Sequence, residues 1–354
     1  MTYTFGVLLG DDIGPEVVPE ALKVARTALD KAGVNATWED VPVGWSAYQE
    51  LGTTMPEDTI PRLLEMDGCI LGPIGHRAYP RDDPKAIRPV PVMRKQMDLY
   101  MSVRPAKSYP NLQSLHQDVD IAIVRENSEG FPPDRNMVMG SGEFRPTKDM
   151  TLSVRVITRR ASERIARAAF EVARARPAKH VTAVHKDTVF MLSCAMFAEE
   201  CRKVAAEYPD ITFDEVMVDS FAAHLVMKPQ QFDTICITNT FGDIMVDLAS
   251  GLVGGMGMAP AISASDTFVM AQASHGSAPD IAGQGIANPY AEIMSMALMF
   301  DHLGRTRSDE AMSVAANHIE TAVESIIAAG APLTPDLGGT ASTTEMGEAI
   351  AAAV

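Results

Sequence analysis

Basic residues are in short supply: 30 Lys and Arg stand against 46 Asp and Glu, a formal net charge of −16 at pH 7. Long-range repulsion from such a polyanion argues against nucleic acid or an anionic membrane as partner. Cysteine is scarce as well. Cys69, Cys194, Cys201 and Cys236 are scattered through apolar patterns without CxxC spacing, which fits reduced core thiols better than a zinc site or a disulfide framework. No apolar run is long enough to span a bilayer, and Met1-Thr2-Tyr3-Thr4-Phe5 lacks a basic stretch leading into an apolar one. A cytoplasmic location is expected. Short repeats, low-complexity tracts and long polar linkers are missing too. So is any Gly-x-Gly-x-x-Gly in a strand–turn–helix setting, and a dinucleotide therefore needs another device to hold it.

What is present is a chain of 354 residues, 46% apolar, long enough for a large core and two domains. A buried strand over 3–9 ends in Gly10-Asp11-Asp12-Ile13-Gly14-Pro15-Glu16-Val17, and Pro15 suits the first turn of a helix running to Lys31. A strand near 36–43, a helix near 57–65 and the apolar Gly68-Cys69-Ile70-Leu71 follow. Their alternation predicts an α/β fold with a mostly parallel sheet. In the middle, alternating segments at 136–141 and 150–158 predict antiparallel strands, before a helix whose Arg160, Arg164 and Arg167 are spaced as a solvated face.

In α/β sheets, ligands gather beyond the carboxyl ends of the strands. Three predicted strand ends carry chemistry: His185-Lys186 after 180–184, Asp219 after 211–218, and Asn239-Thr240-Phe241-Gly242-Asp243 after 233–238. On the helix opened by the last, Asp243 and Asp247 are four residues apart, so both carboxylates lie on one face within reach of one hard cation. The plainer reading is an N-terminal Asp favoured by the helix dipole plus a solvated Asp one turn on. Asp219 is the candidate third ligand. Lys186 reads equally as an exposed residue opening a helix. Arg94, Arg104 and Arg125 adjoin predicted strands or helices, where arginine suits fork-like pairing with carboxylates or phosphates, or else structural ion pairs.

The ordered set of motifs resembles the β-decarboxylating dehydrogenases, the family of isocitrate, isopropylmalate, malate and tartrate dehydrogenases, over nearly the full length. It is carried by Gly10 to Val17, Arg94, Arg104-Pro105-Ala106-Lys107, Arg125-Glu126-Asn127-Ser128-Glu129-Gly130, His185-Lys186, Val218-Asp219, Asn239 to Asp243 with Asp247, and His275-Gly276-Ser277-Ala278-Pro279-Asp280-Ile281-Ala282-Gly283 with Ile286-Ala287-Asn288-Pro289. The resemblance implies an isopropylmalate dehydrogenase-like two-domain α/β fold rather than a Rossmann fold. The cofactor-side domain would be built from 1–99 and 255–354, and the second, with a dimer clasp, from 100–254.

It implies further that Arg94, Arg104 and Arg125 grip the carboxylates of a (2R)-malate derivative, and that Asp219, Asp243 and Asp247 hold Mg²⁺ or Mn²⁺. Lys186 would act as general base or relay, and His275, Gly276, Ser277, Ala278, Pro279, Asp280, Ile281 and Asn288 would hold NAD. A homodimer follows, each site taking Lys186 and Asp219 from the partner. Oxidation at C2 precedes loss of CO₂, after which an acid protonates C3.

The chain departs from the family pattern at three places. Pro132 stands where a tyrosine usually supplies that acid, Thr188 where an asparagine usually follows the lysine, and Asp12 where a glycine usually closes the first turn. Asp134, Lys186 or a metal-linked water are substitutes for the missing acid. These departures leave open a dehydrogenase that does not decarboxylate, or a noncatalytic regulatory homologue. Asp280 favours NAD, because a carboxylate accepts from a ribose 2′-hydroxyl and repels a 2′-phosphate. Before Arg94, the stretch Ile87-Arg88-Pro89-Val90-Pro91-Val92-Met93 lacks the Ser/Asn pair of isocitrate enzymes, and a malate with a small or apolar substituent, or none, is expected. Its two prolines should reshape the start of the helix.

Overall fold

The buried run Thr2–Leu8 forms strand β1, and the turn after it feeds the helix Gly14–Ala32, with Pro15 in the first turn where no backbone N–H is needed. The computed structural model describes residues 2–75, 78–131 and 142–354. The other strands in chain order are β2 (Asn35–Asp40), β3 (Gly68–Leu71), β4 (Met101–Lys107), β5 (Asp120–Glu126), β6 (Glu143–Thr147), β7 (Met150–Ser153), β8 (His180–His185), β9 (Thr212–Met217), β10 (Thr234–Ile237), β11 (Ile262–Ala264) and β12 (Val269–Ala271). No helix among the described residues is long and apolar enough to cross a membrane.

The chain divides into two compact units. One comprises Met1–Met97, Tyr109–Gln113 and Gly254–Val354; the other comprises Asp98–Ser108 and Ser114–Val253. In the first, the strands run β2-β1-β3-β12-β11, all parallel except the β11–β12 pair. All four residues of β3 are buried, hence its unbroken apolar sequence. Helices Gly14–Ala32, Tyr290–Arg307, Glu310–Ala329 and Thr343–Ala353 pack on one another in this unit. The last is started by a capping box, Ser342 with Glu345.

In the second unit the order is β4-β5-β10-β8-β9, and only β4 is antiparallel to its neighbour. Helices Val218–Met227 and Asn239–Val253 bury Phe221, Leu225, Val246 and Leu252 against Ile121, Ile123, Ile235 and Ile237. Among the described residues strands β6 and β7 pair only with each other, and every residue in them is exposed.

Several local expectations differ from the structure. The segment 136–141 lies outside the described residues, and the partner of β7 is Glu143–Thr147, whose Pro146 disguised it as a non-strand. The helix Trp45–Leu51 buries only Ala47, so it has no apolar stripe to betray it. Asp219 lies in the first turn of its helix instead of before it. Arg164 bonds Asp98 and Ser128 rather than facing solvent alone. The helix after β8 starts only at Ser193. Residues 186–192 form turns in which the Val189 and Phe190 N–H groups donate to the Lys186 carbonyl at 3.1 and 2.9 Å.

Candidate active site

Strands β5, β10 and β8 are parallel neighbours, with Ile237 of β10 level with Arg125 on one side and Val184 on the other. Adjacent strands lie roughly 4.8 Å apart, so Arg125, Asn239 and Lys186 emerge together at their carboxyl ends. On β4, Ser102 is opposite Arg125 and Arg104 opposite Ile123. That register puts Arg104 and Arg125 on one face of the sheet, and Arg104 Nε also donates to Ser102 Oγ at 3.2 Å.

Arg125 is buried, 3% exposed, and its guanidinium donates to the Asp243 carboxylate and, at 2.7 Å, to Asn239 Oδ1. Burial lowers its pKa more than the flanking carboxylates raise it. The helix can start this close to Arg125 only because Gly242 has no side chain: a Cβ there would meet Arg125 Cγ at 2.7 Å. This is the physical reason for glycine in the Asn-Thr-Phe-Gly-Asp motif. One turn on, the Asp247 carboxyl is raised by partial burial, while Arg104 and Arg125 pull it down and Asp243 pushes it up. Asp243 and Asp247 are thus hard oxygen donors on one helix face among two guanidinium groups.

The rest of the Arg125 motif turns the chain. Glu126 accepts from the Ser128 and Glu129 backbone N–H groups at 2.8 and 2.9 Å. Glu129, its carboxyl pushed up to about 7 chiefly by burial, accepts from the Thr158 N–H and hydroxyl. Pro132 and Asp134, beyond this turn, lie outside the described residues.

Lys186 follows β8 directly and donates to Asp219 Oδ1 at 2.7 Å. This bond holds the Asp219 carboxyl below its ordinary range. Within one chain Asp219 therefore stands with Lys186, not with Asp243 and Asp247. Among the described residues no three His, Cys, Asp or Glu side chains gather as a metal site. Thr188, exposed, bonds Met217 Sδ at 3.4 Å. Arg94 is half-buried on the helix Pro89–Gln96 of the first unit, whose first turn contains Pro89 and Pro91.

The first unit has its own cleft, about 360 Å³ in volume, lined by His275, Gly276, Ala278, Ile281 and Asn288 and also by Ile13, Met256, Gly257 and Asp336. Ser277, Pro279 and Asp280 are not in its lining; Ser277 is buried and accepts from the Ile13 N–H at 3.2 Å, while Pro279 and Asp280 are exposed. Asn288 donates to Asp336 Oδ2 at 2.9 Å and accepts from the Tyr290 N–H. Burial holds the His275 imidazole below its usual pKa.

The segment after Ile281 is tied to the first turn of the helix Gly14–Ala32. Glu16 accepts from the Gly283 and Gly285 N–H groups at 2.6 and 2.8 Å. Asp11 accepts from the backbone of Trp45 and Gly75 and from the Tyr79 hydroxyl. Asp12 has φ +50°, the left-handed region in which glycine is at ease. Sequence reasoning gave Glu16, Asn239 and Asp336 no role. Glu16 and Asn239 stood inside quoted motifs, whereas Asp336, in an ordinary Pro-Asp-Leu-Gly turn, carried no signal.

Known proteins resemble the chain over nearly its whole length. The model of the isocitrate/isopropylmalate dehydrogenase family matches residues 4–350. The chain is 38% identical to an isocitrate/homoisocitrate dehydrogenase of Thermus thermophilus, covering 100% of this chain and 99% of that one. It is 37% identical to a 3-isopropylmalate dehydrogenase of Archaeoglobus fulgidus, covering 98% and 97%. A crystal structure of isocitrate dehydrogenase from Methylococcus capsulatus superposes with TM-score 0.86 at 37% identity, covering 99% of both chains. The chain belongs to the isocitrate/isopropylmalate dehydrogenase family, oxidoreductases that act on the CH–OH group of a hydroxy acid with decarboxylation, generally with NAD(P) and Mg²⁺ or Mn²⁺.

Proposed function

We propose that the protein is an NAD-dependent, Mg²⁺- or Mn²⁺-dependent dehydrogenase that oxidises and decarboxylates a (2R)-malate derivative with a small or apolar group, or none, on C3. The observation that carries this reading is the cluster at the strand ends of the second unit, where Arg104 and Arg125 share a face with Asp243 and Asp247. When bound, the dinucleotide supplies a hydride acceptor and the metal a Lewis acid for the substrate hydroxyl and carboxylate. Asp243 and Asp247, with Asp219, offer only hard oxygens, which suits Mg²⁺ or Mn²⁺ over zinc or copper.

The chain's own groups divide the remaining work. Arg94, Arg104 and Arg125 bind the substrate carboxylates. Lys186 takes the hydroxyl proton as C2 is oxidised. The loop from His275 to Asn288 holds the dinucleotide, and the exposed Asp280 carboxylate suits a ribose 2′-hydroxyl and repels a 2′-phosphate.

A homodimer with shared sites accompanies this reading. A lone two-stranded sheet is marginal in water, yet β6 and β7 expose Phe144, Met150 and Leu152, and the helices Val218–Met227 and Asn239–Val253 expose Val226, Met227 and Ile244. A second copy covering these faces would bring its own Lys186 and Asp219 to the site.

The test is turnover of the purified protein with a panel of malate derivatives, NAD or NADP, and Mn²⁺, recording NAD(P)H and CO₂ together. Higher catalytic efficiency with NADP, or with isocitrate than with every other malate, would refute the corresponding part. A second reading rests on Pro132: with no tyrosine there to protonate C3, the enolate recaptures CO₂ before it is trapped, and the β-keto acid left by hydride transfer is partly released. It expects CO₂ to fall short of NADH, and Pro132→Tyr to raise their ratio.

A further inference from the structure

Glu292 belongs to no motif, yet it is a carboxyl with 0% of its surface exposed, on the helix Tyr290–Arg307 of the first unit. Although it sits in the first turn, among the described residues it bonds none of that helix's own N–H groups. Its one hydrogen bond comes from the Ala273 N–H, at 2.9 Å to Oε2, and Oε1 is buried without a partner. Such a group is costly to keep, and the place of Ala273 shows what it secures.

Ala273 is the joint between β12 and the loop 274–288. On one side the chain leaving β12 stays laddered: the Gln272 and Ser274 N–H groups donate to the Ala261 and Ala259 carbonyls at 3.0 and 2.9 Å. The Ala273 N–H points the other way, toward the side of β3. There the strand pairing ends at Ile70 with Ala271. The residues beyond β3 bond elsewhere, Gly72 through its N–H to the Leu8 carbonyl and Pro73 through its carbonyl to the Asp11 N–H. Among the described residues no backbone carbonyl takes the Ala273 N–H. A buried N–H needs an acceptor, and Glu292 supplies it from a side chain. Two residues on, His275 lines the cleft and bonds the Gly276 carbonyl at 2.9 Å.

The geometry points to Glu292 as a positioning residue for the dinucleotide: its neutral carboxyl takes the place of the missing strand neighbour, and loss of its proton frees the start of the loop, so that cofactor affinity falls in alkali. The inference rests on the proposed role of the loop 274–288.

Burial pushes this carboxyl up to about 8, with the Ala273 bond opposing, and no charge of the first unit acts on it. Cys69 of β3 is the titratable group that feels Glu292, and burial keeps that thiol protonated. Glu320 and Glu324 of the helix Glu310–Ala329 act on Tyr290 instead. His275, whose pKa burial lowers, is already neutral in alkali. Ionised, Glu292 would carry charge on an Oε1 that nothing meets, a cost that only water or movement relieves. Its one tether is the Ala273 N–H, so the movement passes to Ser274 and His275. The neutral form is the binding form: affinity is full below the folded-state pKa and falls about tenfold for each pH unit above it. By reciprocity, NAD binding in alkali takes up a proton.

The experiment measures the dissociation constant for NAD, without metal or substrate, from about pH 6.5 to 9.5. Calorimetry in buffers of different ionisation enthalpy, well below Tm, serves for the parent, Glu292→Gln and Glu292→Ala, with Tm recorded alongside. The parent's constant should be level to about pH 8 and then rise by at least about tenfold, with uptake of up to about one proton per NAD. Glu292→Gln, shaped like the neutral acid, should bind as the parent does near neutrality, hold that constant within about twofold across the range and take up no proton. Glu292→Ala leaves the Ala273 N–H unpaired and should bind several-fold more weakly at every pH. A merely structural Glu292 would give Tm a pH slope while NAD affinity and proton uptake stayed level.

A parent constant within about twofold across the range, or a rise that Glu292→Gln shares, overturns the inference. If Glu292→Ala does not fold, the parent and Glu292→Gln decide; if Glu292→Gln does not fold, the parent's own profile and proton uptake decide. No NAD binding by the folded parent at any pH means that the loop's proposed role has failed and the inference with it. Binding that ignores pH means that only the inference has.

Discussion

The loop 274–288 in the first unit and the strand ends in the second handle their polar groups in opposite ways. In the loop most polar groups are bonded within the chain: Glu16 takes the Gly283 and Gly285 N–H groups, Ile13 bonds Ser277, and Asn288 joins Asp336 to the Tyr290 backbone, while the buried Ser274 hydroxyl has no partner among the described residues. At the strand ends the charges are paired with each other, Arg125 with Asp243 and Lys186 with Asp219. A ligand must divide or share those pairs. On the proposed reading the loop is a preformed cradle, and the strand ends are a charge set that would reorganise when substrate and metal arrive. Changes in the cradle should therefore act mainly on cofactor KM, and changes in the charge set on kcat.

The largest effect is expected from Lys186→Met and Asp243→Asn. Loss of a proton acceptor costs on the order of 10²- to 10⁴-fold in kcat, and loss of a metal oxygen should abolish turnover. The Asp243 side chain is 64% exposed, so Tm should hardly move. Activity lost to a chelator should return with Mg²⁺ or Mn²⁺.

The buried Glu292 comes next and tests the support beneath the cradle. It bonds only the Ala273 N–H, at 2.9 Å, and its other oxygen has no partner among the described residues. Burial pushes its carboxyl up to about 8. The folded state thus keeps a proton that the unfolded chain has released, and stability present in acid is lost as pH rises from the ordinary carboxyl range to about 8. Denaturation of Glu292→Gln between pH 4 and 9 should lack that slope. The variant should be more stable in mild alkali by a few kcal/mol, since each tenfold difference in proton affinity between folded and unfolded chain is worth ~1.4 kcal/mol.

A smaller change is predicted for Glu16→Gln. Weakening two charge-assisted hydrogen bonds to the loop should raise KM for NAD about tenfold with kcat nearly unchanged. Equal losses in both constants would break the distinction between cradle and charge set. Asp280→Ala should have the least effect. The group is exposed, and its removal should narrow the preference for NAD over NADP only several-fold.

Strands and helices with a clear period were legible in the sequence: β3 and the helix begun by Gly14-Pro15 were read almost to the residue, because buried parallel strands are continuous apolar runs and Pro marks a first turn. The helix Trp45–Leu51 was not, since a surface helix with one buried residue has no stripe. The placement of Lys186 at a strand end and of Asp243 and Asp247 one turn apart on a helix was legible because strand ends and i, i+4 spacing fix direction from local pattern. Partners distant in sequence were invisible. Nothing local tells that Arg155 lies between Phe190 and Phe241, that Glu16 reaches Gly283, or that Asp336 bonds Asn288.

The central claim is that the strand-end carboxylates support metal-dependent oxidation of a malate derivative. Its most direct measurement is NADH formation by the purified protein with Mn²⁺ and a C3-substituted (2R)-malate, for the parent and Asp243→Asn, with and without excess chelator. The account predicts turnover in the parent alone, extinguished by chelator. Undiminished NADH formation in Asp243→Asn or in chelator, or none from any malate with the metal present, would contradict it.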